Sequence, residues 1–274
     1  CPGQDFIPPA ARIAVFDLDG TLWCEKPYYP TFWVAVERMR KRVEEDPSLA
    51  AGAGPDAVLY RAARDGELAV LRADPPGVHG LAFEGVDMRA YSRASRRVLR
   101  TRRHERFDRP LTSLFYQPVR ELVDLLRAHG FTVYVVSGSD QEFVRVVAAD
   151  FLGLPPDQII GSAVRFDFRF EDTKASFVRR RTWLAPRNKR AGKAERIRER
   201  TGRWPIVAVG NSPGDLGMFQ LVHANPRAHL ALVIDHDDPE REYDYHHPEL
   251  LEAAARHGWT VVSMQRDFRV VFAP

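Results

Sequence analysis

Short apolar runs recur along the chain, each ending in a small polar cluster. The first, Ile13-Ala14-Val15-Phe16 within Arg12 to Leu18, predicts a buried strand that delivers Asp17-Leu18-Asp19-Gly20-Thr21 to a turn. Pro118 to His129 then carries helical spacing (Val119, Leu122, Val123, Leu125, Leu126), and Gly130 supplies its C-terminal cap. Phe131 to Val136 follows as a strand leading into Ser137-Gly138-Ser139-Asp140. The same unit returns as a helix over Lys193 to Thr201, a cap at Gly202 and a strand Pro205 to Val209 that ends in Gly210-Asn211-Ser212. A strand at Ala231 to Ile234, a helix at Pro248 to His257 and a last strand at Trp259 to Met264 complete the pattern.

Strands that are apolar throughout and alternate with helices predict an α/β fold: a Rossmann-like parallel sheet covered by helices on both faces. In such sheets ligands bind beyond the carboxyl ends of the strands, where the polar clusters sit, so segments distant in sequence can converge on one site. Between Cys24 and Gln117 this grammar gives way to arginine- and alanine-rich stretches with helical spacing, at Phe32 to Val43, Ala57 to Arg64 and Met88 to Thr101. The expected division is therefore a core of residues 1–23 and 118–274 with an inserted, mainly helical cap of residues 24–117. Ser162 to Trp183 alternates differently, with Val164, Phe166, Phe168 and Phe170 on one side, and predicts a β-hairpin or flap.

Composition changes this picture little. With 45% hydrophobic and 28% charged residues the chain has the makings of an ordinary globular protein, and no apolar stretch reaches the roughly 20 residues of a membrane-spanning helix. Arginine gathers at Arg38 to Arg42, Arg93 to Arg106 and Arg179 to Arg190. Such runs suit anionic partners, but they are more often solvated helix faces, and no nucleic-acid module accompanies them, so nucleic acid is not expected as a partner. The two cysteines, Cys1 and Cys24, have no metal-ligand spacing and cannot build a disulfide framework. The chain opens on Cys1, which suits either a fragment boundary or the lipid-bearing first residue of a processed cell-envelope lipoprotein; a cytoplasmic location is the other expectation.

The chemistry is concentrated at the strand ends. Asp17 and Asp19, two residues apart after a buried strand, would face one pocket, and a bound cation is the simplest way to keep both ionised. The string Asp17-Leu18-Asp19-Gly20-Thr21 resembles the first motif of the haloacid dehalogenase superfamily, Ser137 its second, Lys193 its third, and Gly210-Asn211-Ser212-Pro213-Gly214-Asp215 its fourth. The chain is similar in particular to bacterial nonspecific and phosphoserine phosphatase-like hydrolases with a helical C1-type cap, sharing Asp19 to Pro27, Gly210 to Asp215, His236 to Tyr245 and Gly258 to Met264.

The resemblance implies a phosphatase in which Asp17 attacks phosphorus to form an aspartyl-phosphate, while Asp19 acts as acid and then base. Thr21 would orient Asp19 and stand among the phosphate-side residues with Ser137, Gly138 and Lys193. Lys189 and Lys174 are weaker candidates for the lysine. Mg²⁺ would be held by Asp17, the Asp19 main-chain carbonyl, Asn211 and Asp215, with the Asn211 amide standing where the superfamily usually has an acid. A dehalogenase would need no second acid, and a binding protein would be expected to lack at least one motif residue. A phosphotransferase or mutase would use the same residues while excluding water.

The expected substrate is a small phosphorylated metabolite. The aromatic stretch Trp23 to Trp33 suggests choline phosphate as a specific possibility, against the plainer expectation that these rings pack. His236, His246 and His247 lie in an acidic, tyrosine-rich segment without ligand spacing, which reads as a polar loop after the strand at Val233.

Overall fold

The computed structural model describes residues 6–273. Cys1, on which the lipoprotein expectation rests, lies outside the described residues. In chain order the strands are β1 (Ile13–Phe16), β2 (Thr132–Asp140), β3 (Ile159–Ser162), β4 (Val164–Glu171), β5 (Lys174–Trp183), β6 (Val207–Gly210), β7 (Leu230–Asp237), β8 (Asp244–Tyr245) and β9 (Thr260–Ser263). The chain divides into two compact units. One comprises Cys1–Lys26, Thr112–Ser162 and Pro186–Pro274; the other comprises Pro27–Leu111 and Ala163–Ala185.

The first unit is built on a seven-stranded sheet in the order β3-β2-β1-β6-β7-β8, with β9 also paired to β7. β1 lies in the middle, parallel to β2 on one side (Ile13 opposite Thr132) and to β6 on the other (Ala14 opposite Val207). Every residue of β1 and β6 is buried, which is why these strands lack the alternation of a half-exposed sheet. Val15, Val136, Ile160 and Ala208 of the sheet pack with Ile197, Met218, Phe219 and Val222 of the helices that follow. The sheet is thus a rigid platform on which the β1, β2 and β6 ends stand side by side.

Two strands run further than their apolar cores predict. β2 continues through Ser137-Gly138-Ser139 to Asp140, and its pairing with β3 slips there, from Val136 opposite Ile160 to Asp140 opposite Ser162. Asn188 stabilises the slip: it is fully buried and donates from Nδ2 to Ser137 O (2.8 Å) and Ile160 O (2.7 Å), two carbonyls next to the irregularity. β7 continues to Asp237 and pairs with β8 by placing His236 opposite Tyr245. The segment read as a polar loop is therefore partly strand, with His236, Asp238 and Glu242 all buried.

The second unit is helical around Pro30–Glu45, whose buried face carries Phe32, Trp33, Val36, Met39 and Val43. Further helices are Pro55–Asp65, Leu68–Arg72, Pro75–Phe83 and Met88–Thr101. The hairpin β4–β5 belongs to this unit and not with residues 118–274, a correction to the expected boundary. Arg179 explains the grouping. It is 2% exposed, its guanidinium stacks 3.9 Å from the Tyr91 ring, and its main chain pairs with Gly85 and Val86. Trp183 adds a bond from Nε1 to Pro76 O, and Arg181 reaches Asp56 and Glu84. These contacts are long-range, and the hairpin's own alternation does not reveal them.

Asn188→Ala should leave both carbonyls at the β2–β3 slip without their donor. At about 1–3 kcal/mol per unsatisfied buried group, it is expected to lower unfolding free energy by about 2–6 kcal/mol, read from the midpoint of urea denaturation.

Candidate active site

β1 ends by directing Asp17 and Asp19 into a turn closed by main-chain bonds from Thr21, Leu22 and Trp23 to Leu18 O. Gly20 takes φ +78 in that turn, and a Cβ there would lie 2.2 Å from Asn211 Nδ2, so backbone angle and space both require glycine. The helix Ala191–Thr201 places Lys193 beneath the same turn. Its buried ammonium donates to Asp17 Oδ1, Asp215 Oδ1 and Val136 O, each at 2.6 Å, which uses all three protons. One side chain thus ties the ends of β1, β2 and β6 together.

The two aspartates of the first cluster have different surroundings. Asp17 is engaged through Oδ1 alone, and Oδ2 accepts no hydrogen bond from the described residues. Burial and then the Asp215 charge push its carboxyl well above the usual range, against the pull of Lys193. Asp19 is raised too, chiefly by burial, but both its oxygens are held: Ser139 Oγ donates to Oδ2 (2.7 Å) and Trp23 Nε1 to Oδ1 (2.8 Å). Lys193 loses through burial and gains more from Asp17 and Asp215, leaving its ammonium raised.

Asp215 is fully buried, and its Oδ2 accepts from the main-chain amides of Asn211 (3.1 Å) and Ser212 (2.9 Å). This clamps the turn that presents Asn211. The Asn211 amide is itself oriented, because Oδ1 accepts from Thr21 Oγ1 (3.0 Å) while Nδ2 donates to Glu25 Oε1 (3.3 Å). Thr21 therefore orients Asn211, not Asp19, and its hydroxyl proton is directed at Asn211 and away from a phosphate. Ser137 and Gly138 lie at the slipped end of β2, where Ser137 Oγ accepts from Ser139 N (3.0 Å) and keeps its own proton to donate. The Lys189 stem crosses Gly138, with Cε 3.1 Å from where a Cβ would be, so this lysine also belongs to the cluster. Lys174 lies at the hairpin turn of the second unit.

Sequence reasoning missed several contributors. Trp23 and Ser139 hold Asp19; Trp23 lies four residues on, around the turn, while Ser139 arrives from β2, 120 residues away, with no local signal. Glu25 is a carboxylate of 4% exposure against Asn211, raised by burial. His236 reaches the turn from β7: Nε2 lies 2.7 Å from Gly20 O and Nδ1 3.2 Å from Glu242 Oε2. Glu242 also accepts from Tyr116 OH (2.8 Å) and Tyr243 N (2.6 Å). Burial opposes the Glu242 charge, but the His236 contact leaves its carboxyl below the usual range. His236 is held at both ring nitrogens, by the Gly20 carbonyl on one side and Glu242 on the other. The histidine segment thus braces the Asp19-Gly20 turn from below.

The aromatic stretch resolves into packing. Trp23 sits between Phe115 and Phe143 (5.2 and 6.0 Å between centroids). In the second unit Trp33 carries the Arg102 guanidinium 3.3 Å from its ring centre and Tyr28 carries Arg72 at 5.7 Å, so the protein's own cations occupy these faces.

The comparisons agree with this architecture. A protein of unknown function from Anaerococcus prevotii DSM 20548 is 14% identical over 95% of this chain and 87% of its own, with a TM-score of 0.61. Another of unknown function, from Bordetella pertussis Tohama I, is 16% identical over 92% of this chain and 97% of its own, with a TM-score of 0.54. At such identities the likeness is one of fold. No curated protein matches the sequence. The haloacid dehalogenase-like hydrolase family matches residues 14–220, a span running from β1 through the turn that carries Asn211 and Asp215. The chain belongs to the haloacid dehalogenase-like hydrolases.

Proposed function

We propose that this hydrolase is a magnesium-dependent phosphatase that cleaves small phosphomonoesters through an aspartyl-phosphate on Asp17. The observation that carries the reading is the pair of buried carboxylates on the first turn, one with a free oxygen and the other held at both, beside a lysine shared with Asp215. Asp17 Oδ2 bonds to phosphorus as the ester P–O bond breaks, and Asp19 gives its proton to the departing alkoxide. A water oxygen then bonds to phosphorus, the Asp17–phosphorus bond breaks, and Asp19 takes the water proton. Its raised carboxyl suits both duties, while Trp23 and Ser139 keep it aimed between them. Ser137 Oγ and the Gly138 amide would donate to phosphoryl oxygens.

The residues fit a divalent cation. Asp17, Asp19, Glu25 and Asp215 are buried together, and the cations beside them are Lys193, the partly exposed Lys189 and Lys26, 3.7 Å from Glu25 Oε1, so carboxylates outnumber cations by one. Among the described residues no three His, Cys, Asp or Glu side chains form a ligand group. That agrees with a donor set of Asp17, the Asp19 carbonyl and the Asn211 amide oxygen, all hard oxygens. Asp215 positions Asn211 and Lys193, and its Oδ1, which accepts from Lys193 alone, keeps a lone pair that could join the set directly or through a water. A bound Mg²⁺ would neutralise charge on Asp17 and on the phosphoryl oxygens.

The reading is tested by inorganic phosphate release from a panel of phosphomonoesters with Mg²⁺ or EDTA. Turnover is expected with Mg²⁺ only and should vanish in Asp17→Asn; metal-independent turnover, or turnover surviving that change, would sink it. Lys193→Ala is expected to cut kcat by about 10²–10³ per folded molecule.

The charge surplus also gives a signed pH effect. Asp17 and Asp19 are raised in the folded chain, so above the ordinary aspartate pKa of ~3.9 the native state holds more protons than the unfolded one, and stability falls as pH rises through the raised values. In EDTA the melting temperature should drop from pH 5 to pH 8, less steeply in Asp17→Asn, and Mg²⁺ should restore most of the loss at pH 8.

A further inference from the structure

The hairpin β4–β5 exposes an unusual amount of aromatic surface for a two-stranded element: Phe168 is 61% exposed, Phe170 66% and Phe177 47%, with Phe168 and Phe177 in ring contact at 5.5 Å. Its turn is Asp172-Thr173, both at positive φ (45 and 76), a two-residue turn closing on the pair Glu171–Lys174. That closure sets the main chain of β4. Glu171, Arg169 and Asp167 turn their N–H and C=O groups toward β5, and Phe170, Phe168 and Phe166 turn theirs to the outer edge. β4 pairs only with β5, and over Phe166 to Glu171 its outer edge makes no main-chain bond within the described residues. An open edge with apolar side chains above it invites another strand.

The side chains of β4 say which strand. The run Arg165-Phe166-Asp167-Phe168-Arg169-Phe170-Glu171 puts phenylalanine on one face and alternating charge on the other. Laid antiparallel on a second copy about a two-fold axis at Phe168, Arg165 meets Glu171, Asp167 meets Arg169, and Phe166 meets Phe170. The residues with outward main-chain groups, 166, 168 and 170, then face one another and can form about six hydrogen bonds. Other registers fail. An axis at Asp167 sets Arg165 against Arg169 and Asp167 against itself; an axis at Arg169 sets Asp167 against Glu171 and Arg169 against itself. Registers centred at Phe166 or Phe170 keep opposite charges together but pair a shorter stretch. Only the register at Phe168 satisfies all four charges and the edge together.

We propose that the outer edge of β4 is a homodimer interface, in which two hairpins join about a two-fold axis at Phe168 into a four-stranded sheet with a shared phenylalanine face. The contact is isologous and closed, so it ends at two copies. Asp167 is already paired with Arg180 of its own hairpin, which preforms the charged face without using Arg169, Arg165 or Glu171.

The test is sedimentation velocity over about 1–100 µM chain, with phosphatase assays and far-ultraviolet circular dichroism as folding controls. Wild type is expected to be a monomer–dimer equilibrium. Arg169→Glu, at an exposed position, creates two symmetry-related like-charge contacts with Asp167 and should raise the dimer dissociation constant about tenfold or more. Asp167→Arg should do the same through Arg169. A one-to-one mixture of the two variants restores both opposite-charge contacts and is expected to dimerise like wild type, a result that misfolding of either variant cannot produce. Phe168→Ser should weaken self-association without touching a charge. A strictly monomeric wild type at the highest concentration, a dimer indifferent to Arg169→Glu, a mixture no tighter than its components, or an open-ended series of larger oligomers would each overturn the proposal.

Discussion

The site depends on a single buried ammonium. Lys193 is buried, with three neighbours that accept its protons: two aspartates and the Val136 carbonyl of β2. A buried lysine lacking those acceptors would be driven to give up its charge. Both aspartates lie 2.6 Å from the shared ammonium. The contact joins the first cluster, β2 at Val136 and the loop after β6.

Around this core the structure assigns side chains to holding other side chains. Asp215 positions Asn211 through its turn, Thr21 and Glu25 fix the Asn211 amide, and Trp23 with Ser139 fixes Asp19. His236 supports the Gly20 carbonyl and is supported by Glu242 and Tyr116. The neutral Asn211 where the superfamily usually has an acid finds its counterpart here. Glu25, itself paired with Lys26 at 3.7 Å, places a buried carboxylate 3.3 Å from the Asn211 amide nitrogen, and Asp215 keeps a carboxylate within the fourth motif.

The apolar runs, the Asp17–Asp19 pair and the order of the four clusters were legible because each is local: a strand buried on both faces has to be apolar along its length, and the rules of parallel sheets bring strand ends together. The helix Met88–Thr101 and the helix Pro248–His257 fell where periodicity set them. The hairpin's alternation was visible too, and with it the charge pattern of β4.

What the sequence determined by itself was therefore the class of fold, the family and the identity of the charged residues that meet. Only the tertiary structure decided which partner each one has. Thr21 could equally have served Asp19 by spacing, yet it turns to Asn211; His236 reads as part of a polar loop, yet lies under Gly20, 216 residues away. The hairpin joins the helical unit through the buried Arg179 on Tyr91. Hydrogen bonds and ion pairs across such separations leave no periodic trace, because they depend on where strand ends and loops arrive in space and not on what precedes them in the chain.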